Sequence, residues 1–187
     1  RVASRGLGDV YKRQIITGGP GTGKSSVIQE LKVKNYCCFD EISRAVILEA
    51  RQEGIEQLFL EQPIKFSERL LEGRLHQYRE AQSIAQDIVF YDRGLPDVVA
   101  YLDFFNTSYE DTFTTTCMDH PYDSVFILEP WEAIFTKDNE RYESFEEALR
   151  IDKALKHTYK TLGYQPIVVP KCSVEERVKF IEQFLKL

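Results

Sequence analysis

The sequence holds no apolar run of the roughly 20 residues that a helix needs to cross a bilayer, so no membrane-spanning helix is expected, and no secretory signal is visible. A basic excess is also missing. Thirty Asp and Glu against 24 Lys and Arg leave a net charge of −6, and an acidic chain lacks the cationic footprint that a nucleic-acid backbone requires. Neither a membrane nor a nucleic acid is therefore expected as a partner. Cysteine is sparse. Cys37, Cys38, Cys117 and Cys172 show no zinc-ligand spacing, and the adjacent pair is badly placed for a structural bridge. They read as reduced thiols of a cytoplasmic protein, with Cys37 and Cys38 as small buried strand residues. His76, His120 and His157 are scattered and read as surface or capping residues rather than catalytic ones. No internal repeat or low-complexity linker interrupts the 187 residues, which suffice for one domain with its own core.

What is present is one strong signal. Gly18-Gly19-Pro20-Gly21-Thr22-Gly23-Lys24-Ser25 fits G-x-x-x-x-G-K-[ST], the phosphate-binding loop. Ile15-Ile16-Thr17 before it reads as the end of a strand, and Ser26 onward reads as the first turns of a helix, which is the context the motif needs. The glycines let the backbone wrap a polyphosphate, and the loop and helix N–H groups can point at its oxygens. Lys24 can reach the β- and γ-phosphates, and the Ser25 hydroxyl can hold Mg²⁺. Gly18 through Ser26 is therefore the expected nucleotide site. ATP is the default ligand, since no guanine-reading motif is present.

Residues Arg1 to Gln14 carry no clear helical or strand pattern, and Ser4 to Gln14 resembles a translated sequencing-adapter scar. The expectation is a non-native leader over 1–14 and one domain over 15–187. Within that domain, short apolar runs at 35–39, 88–91, 124–128 and 165–169 read as strands after the first one. Helical patterns fill 24–34, 41–50, the stretch after Pro63, 95–105, 146–162 and the last segment. Phe66, Leu70, Leu71, Leu75 and Tyr78 make one apolar stripe. Ile42, Ala45, Val46 and Glu49 fall on helical spacing without a clean stripe, and Val98, Tyr101, Leu102 and Phe105 share one side of a further helix. Strands alternating with helices mean an α/β fold on a parallel sheet.

Three further groups belong to the strand ends, where open α/β sheets bind ligands. Asp92 closes an apolar strand and can hold Mg²⁺ or accept a proton, with Arg93 beside it to pair with phosphate. Asp40 and Glu41 close the second strand. Glu41 can bind an acceptor hydroxyl or act as general base, and Arg44, one turn on, can hold the acceptor. Asp138-Asn139-Glu140-Arg141 follows the fourth strand, where kinases of this architecture carry a lid. Arg141 is the expected lid arginine, Lys137 the second choice. Trp131, after Pro130, reads as packing at the hinge of that lid.

Together, residues 15–26, Glu41-Ile42-Ser43-Arg44, Tyr91-Asp92-Arg93-Gly94-Leu95-Pro96-Asp97 and Asp138-Asn139-Glu140-Arg141 resemble the AAA-type predicted ATPases related to the nicotinamide-riboside kinase domain of NadR proteins. That resemblance implies a three-layer P-loop NTPase fold. A five-stranded parallel sheet ordered 2-3-1-4-5 lies between helices, with a lid near residues 131–147. The leading functional expectation is an ATP- and Mg²⁺-dependent small-molecule kinase with a nucleoside- or nucleotide-like acceptor. In it Lys24, Asp92, Glu41 and Arg141 serve the chemistry, and Glu41, Arg44 and Arg93 hold the substrate. The rival is an NTPase switch acting on a protein partner; a phosphohydrolase is a third possibility.

Overall fold

The computed structural model describes residues 12–135 and 144–187. Five strands, β1 (Lys12–Thr17), β2 (Cys37–Phe39), β3 (Ile88–Asp92), β4 (Ser124–Leu128) and β5 (Ile167–Val169), form one sheet in the order β2-β3-β1-β4-β5. Every pairing is parallel. The expected sheet order is the observed one. Around it lie α1 (Lys24–Val33), α2 (Ser43–Gln52), α3 (Leu58–Glu61), α4 (Pro63–Glu80), α5 (Leu95–Phe104), α6 (Thr112–Asp119), α7 (Phe145–Thr161) and α8 (Val174–Leu185).

Side chains of a strand alternate between its two faces, and both faces here are covered. Ile16, Phe90, Phe126 and Leu128 point to one side and pack with Val27, Ile28 and Leu31 of α1 and Val178 and Ile181 of α8. Their strand neighbours Ile15, Tyr91, Val125 and Ile127 point to the other side, onto a core shared with α4, α5 and α7. Burial on both faces explains the continuous apolar reading of β3 and β4. Among the described residues no helix is long and apolar enough to cross a membrane.

The structure adjusts several local readings. β1 begins at Lys12, so Lys12, Arg13 and Gln14 pair with β3 as strand residues. The short helices α3 and α6 were not legible, since four and eight residues give little periodicity. On α2 the buried row is Val46 and Ala50 with Ile42 packed beside them, while Ala45 and Glu49 are exposed. The i, i+4, i+8 row won over the i+3 alternative. Phe105 is 66% exposed because α5 ends at Phe104, and its ring meets Phe104 instead of the core. Cys37 and Cys38 are only half-buried, because β2 is an edge strand. All four thiols are free.

One residue fits its place badly. Gln14 sits in the central strand at 0% exposure, on the same face as Ile16. Neither its amide oxygen nor its amide nitrogen has a hydrogen-bond partner among the described residues. A buried unsatisfied polar group costs about 1–3 kcal/mol. Gln14→Leu, similar in length and free of that cost, is expected to raise the unfolding free energy by about 1–2 kcal/mol. Urea denaturation reads this directly, and an unchanged or lowered midpoint would count against the assignment.

Candidate active site

The carboxyl ends of β1, β3 and β2 converge on one edge. β1 runs straight into the phosphate loop, whose shape depends on close backbone approach. Gly18 has φ +151, and a Cβ there would lie 2.3 Å from the Leu128 carbonyl oxygen, so no side chain fits. Thr22 Oγ1 donates to Gly19 O at 3.0 Å, and Lys24 Nζ donates to the same oxygen at 2.9 Å. The N–H groups of Gly21, Thr22 and Gly23 bond to no backbone carbonyl among the described residues, which leaves them available to an anion at the start of α1. Ser25 and Ser26 are exposed on the first turn of that helix. Arg177, on α8, reaches across and donates from Nη1 to Thr22 O at 2.9 Å. Its guanidinium lies 5.1 Å from the centre of the Trp131 ring. Trp131 thus packs against α8 beside the loop.

Lys24 and the acids face one another. Desolvation, with Arg93 second, pulls the Lys24 ammonium down to about 7, against Asp92, Glu41 and Asp97, which favour its charge. Asp92 is 7% exposed, and burial raises its carboxyl even though Lys24 and Arg93 oppose the rise. Asp92 Oδ1 is buried with no hydrogen-bond partner among the described residues. An acidic oxygen left open beside a phosphate-binding loop suits a hard cation or its water shell. Ser25 is the hydroxyl on the loop side. No group of three or more His, Cys, Asp or Glu with metal-holding geometry occurs among the described residues, so a cation here would draw its other ligands from phosphate oxygens and water.

Glu41 is heavily engaged at this edge. Its Oε1 accepts from the Ile42 and Ser43 N–H groups at 3.0 and 3.1 Å and from Arg74 Nη2 at 3.1 Å. Its Oε2 meets Arg93 Nε at 2.5 Å. Burial alone would raise this carboxyl, but Arg74, Arg93 and the Ser43 N–H hold it at about 2. Glu41 is therefore a permanent carboxylate. Asp40, its rival for the acceptor role, turns away to an exposed ion pair with Lys32, of a kind worth at most about 1 kcal/mol.

Arg93 adopts φ 71, a region that residues with a Cβ rarely enter and whose occupants cluster at functional sites. The strain is held by Glu41, by Asp97 Oδ1 at 3.2 Å from Nη1, by the Tyr101 ring 5.4 Å beneath the guanidinium, and by a backbone bond from Arg93 N to Ile16 O.

The sequence reading brought Lys24, Asp92, Glu41 and Arg93 to one edge, and the structure places them together. Arg44 is exposed on α2; the guanidiniums that meet the Glu41 carboxylate are those of Arg74 and Arg93. Arg141 and Lys137 lie outside the described residues, as does the 136–143 part of the expected lid. Three residues escaped the reading: Arg74, Asp97 and Arg177, at 4%, 0% and 4% exposure. Arg74 did leave a trace. It falls four residues after Leu70 and four before Tyr78, inside the apolar stripe of α4, where an arginine has to find partners.

Comparison with known proteins follows this geometry. A family model described as an AAA domain matches residues 13–177. A search of curated proteins finds no significant match. Among solved structures, deoxyadenosine kinase from M. mycoides with bound dATP is 18% identical. The alignment covers 94% of this chain and 100% of that one, with a TM-score of 0.63. The NadR protein in complex with NR is 18% identical over 95% of this chain and 52% of that one, at 0.73; this chain spans about half of it. Thymidylate kinase from Candida albicans is 14% identical over 94% and 91%, at 0.67. These likenesses establish the fold.

The Glu41 carboxylate makes a pH prediction. Its pKa is about 2 in the folded chain against 4.5 ordinarily, so its stabilisation is complete above about 4.5 and drains as pH falls towards 2. Wild type should exceed Glu41→Gln in unfolding free energy by on the order of 3 kcal/mol at pH 7. That difference should shrink steadily between pH 5 and 2.5. A gap independent of pH in denaturant titrations would refute the assigned ionisation.

Proposed function

The chain belongs to the AAA-domain family whose model covers residues 13–177, and from that premise we propose that it is an ATP-dependent kinase acting on a hydroxyl of a small nucleoside-like molecule. The observation that carries the reading is the Glu41–Arg93 pair beside Lys24. A nucleotide switch needs the loop, the lysine and a cation-holding acid, but it has no use for a second carboxylate and a strained arginine aimed at the same edge. The likeness in fold to deoxyadenosine kinase with dATP, to NadR with NR and to thymidylate kinase supports the kinase class.

Charge balance favours a hydroxyl over a phosphate as acceptor. A phosphomonoester brings close to two negative charges at neutral pH and needs uncommitted cations. Among the described residues that face Glu41, Arg74 is committed to Glu41 and the Gly94 carbonyl, and Arg93 to Glu41 and Asp97. A neutral alcohol asks only for an acceptor of its hydrogen bond, and among the described residues Arg93 is the donor at Glu41 Oε2.

In this reading the open N–H groups of the loop and Lys24 hold the β- and γ-phosphates, while Ser25 and Asp92 would hold Mg²⁺. The cation supplies charge neutralisation on the phosphate oxygens. The nucleotide base and ribose fit a cavity of about 410 Å³ between Gly21, Trp131, Cys172 and Arg177, with the Trp131–Arg177 stack as a flat wall. Glu41 orients the acceptor hydroxyl for in-line attack. A carboxylate held near 2 is a weak base, but phosphoryl transfer through a loose transition state asks more for position than for proton abstraction.

Two measurements test this. With MgATP and a panel of nucleosides and nucleoside monophosphates, products followed by mass should show a phosphorylated nucleoside. Transfer should fall at least 10²-fold, an order-of-magnitude figure, in Lys24→Ala. ATP consumption indifferent to every acceptor, or a preference for monophosphates, would overturn the reading. Second, free Lys24 with a pKa of about 7 is mostly neutral at pH 8, whereas a bound polyphosphate favours its charge. ATP binding at pH 8 should therefore take up close to one proton per site. Calorimetry in buffers of different ionisation enthalpy reads that uptake, and it should vanish in Lys24→Met.

A further inference from the structure

We infer that Asp97 and Tyr159 are positioning residues that set the Arg93 guanidinium against Glu41; the functional meaning of this rests on the kinase reading. Asp97 is 0% exposed, and four donors from three elements converge on its carboxylate. Thr17 Oγ1 donates to Oδ1 at 2.5 Å, and Arg93 Nη1 reaches the same oxygen at 3.2 Å. Gly94 N donates to Oδ2 at 2.9 Å, and the Tyr159 hydroxyl donates to Oδ2 as well.

The sources of these donors matter. Thr17 is the last residue of β1 and directly precedes Gly18 of the phosphate loop. Arg93 and Gly94 follow Asp92 at the end of β3. Tyr159 comes from α7 and is itself 0% exposed. One carboxylate thus ties the root of the nucleotide loop to the acceptor-side arginine, and the tyrosine fixes the carboxylate. Burial, with Asp97 second, pushes the Tyr159 phenol far above its usual range, so it stays a donor throughout the working pH.

The arrangement is more than glue. Arg93 sits at φ 71, so its backbone does not relax towards a different side-chain direction without cost. The side-chain conformation of Arg93 meets both Glu41 Oε2 and Asp97 Oδ1. Asp97 selects that rotamer. The space is tight as well, because a Cβ on Gly94 would lie 3.3 Å from the Tyr159 hydroxyl and 2.3 Å from Ile15 Cδ1. A buried carboxylate is a poor choice where stability alone is at stake, since well-packed apolar side chains often serve as well or better.

Tyr159→Phe is the clean variant, because it keeps the ring and its 5.7 Å contact with Tyr164 and removes one hydroxyl. It is expected to lower kcat about 10-fold with KM for ATP within about twofold, since an interaction that orients the acceptor side acts on turnover more than on nucleotide binding. Asp97→Asn, which aims an amide donor at a ring of donors, should lower kcat about 100-fold or more. In an Arg93→Lys background, Tyr159→Phe should have no further effect, because the two act through one contact. A purely structural tyrosine would instead give additive losses. A second readout needs no catalysis: the Nε–H resonance of Arg93, assigned by its loss in Arg93→Lys, should shift or broaden in both Tyr159→Phe and Asp97→Asn. Full activity in both folded variants, or additive effects with Arg93→Lys, overturns the inference. Should wild type phosphorylate no acceptor, the kinase reading falls by itself, and an Arg93 resonance unchanged in both variants would still overturn the positioning role.

Discussion

A chain of charges that no single residue could sustain holds the ligand edge in shape. Arg74 is buried beside Glu41, Glu41 beside Arg93, and Arg93 beside Asp97. Each of these groups alone would face a desolvation cost of several kcal/mol. In sequence along the edge each satisfies the next, and the ends are closed by neutral groups: the Gly94 carbonyl at Arg74, and Thr17 and Tyr159 at Asp97. The phosphate loop, the strained Arg93 backbone and the placement of Glu41 all depend on that continuity. Removing Glu41 strips Arg74 of its counter-charge, and removing Arg93 strips Asp97 of its own; a buried charge left that way costs more than the lost member contributed.

The same chain explains how an acidic protein presents a site for an anionic ligand. Net charge acts over distances that salt screens, whereas the loop offers fixed N–H dipoles and Lys24 at contact range. Burial, with Arg93 second, lowers the pKa of the Lys24 ammonium despite Asp92, Glu41 and Asp97 nearby. For the polyphosphate of the proposed reading, the local field, and not the overall charge of −6, decides binding.

The parts of this design that were legible in the sequence are those with local causes. The loop was readable because its glycines, lysine and serine act through backbone geometry within eight residues. The sheet was readable because strands covered on both faces are written as short apolar runs, as in Val89-Phe90-Tyr91 and Val125-Phe126-Ile127. Glu41 and Asp92 were found because they end such runs. Arg74, Asp97 and Arg177 were not, because each acquires its role from a partner 20 or more positions away or from a neighbouring helix: Arg74 from Gly94 and Glu41, Asp97 from Thr17 and Tyr159, Arg177 from Thr22. Arg44, one helical turn after Glu41, lies exposed on α2, while the two guanidiniums that engage the Glu41 carboxylate come from α4 and the end of β3.

The bond from Arg177 to Thr22 spans 155 positions, and it gives the protein a temporal property. Chains emerge from the ribosome amino end first, so the phosphate loop is made early and waits. β1 gains its neighbours only when β3 and β4 have followed, and the wall that α8 supplies to the cavity beside the loop arrives later still. Contacts so distant along the chain are slow to close. A nascent chain that stops short of Arg177 therefore holds the whole motif yet lacks the brace on its loop, so the loop gains its full set of contacts only in a chain synthesised through that helix.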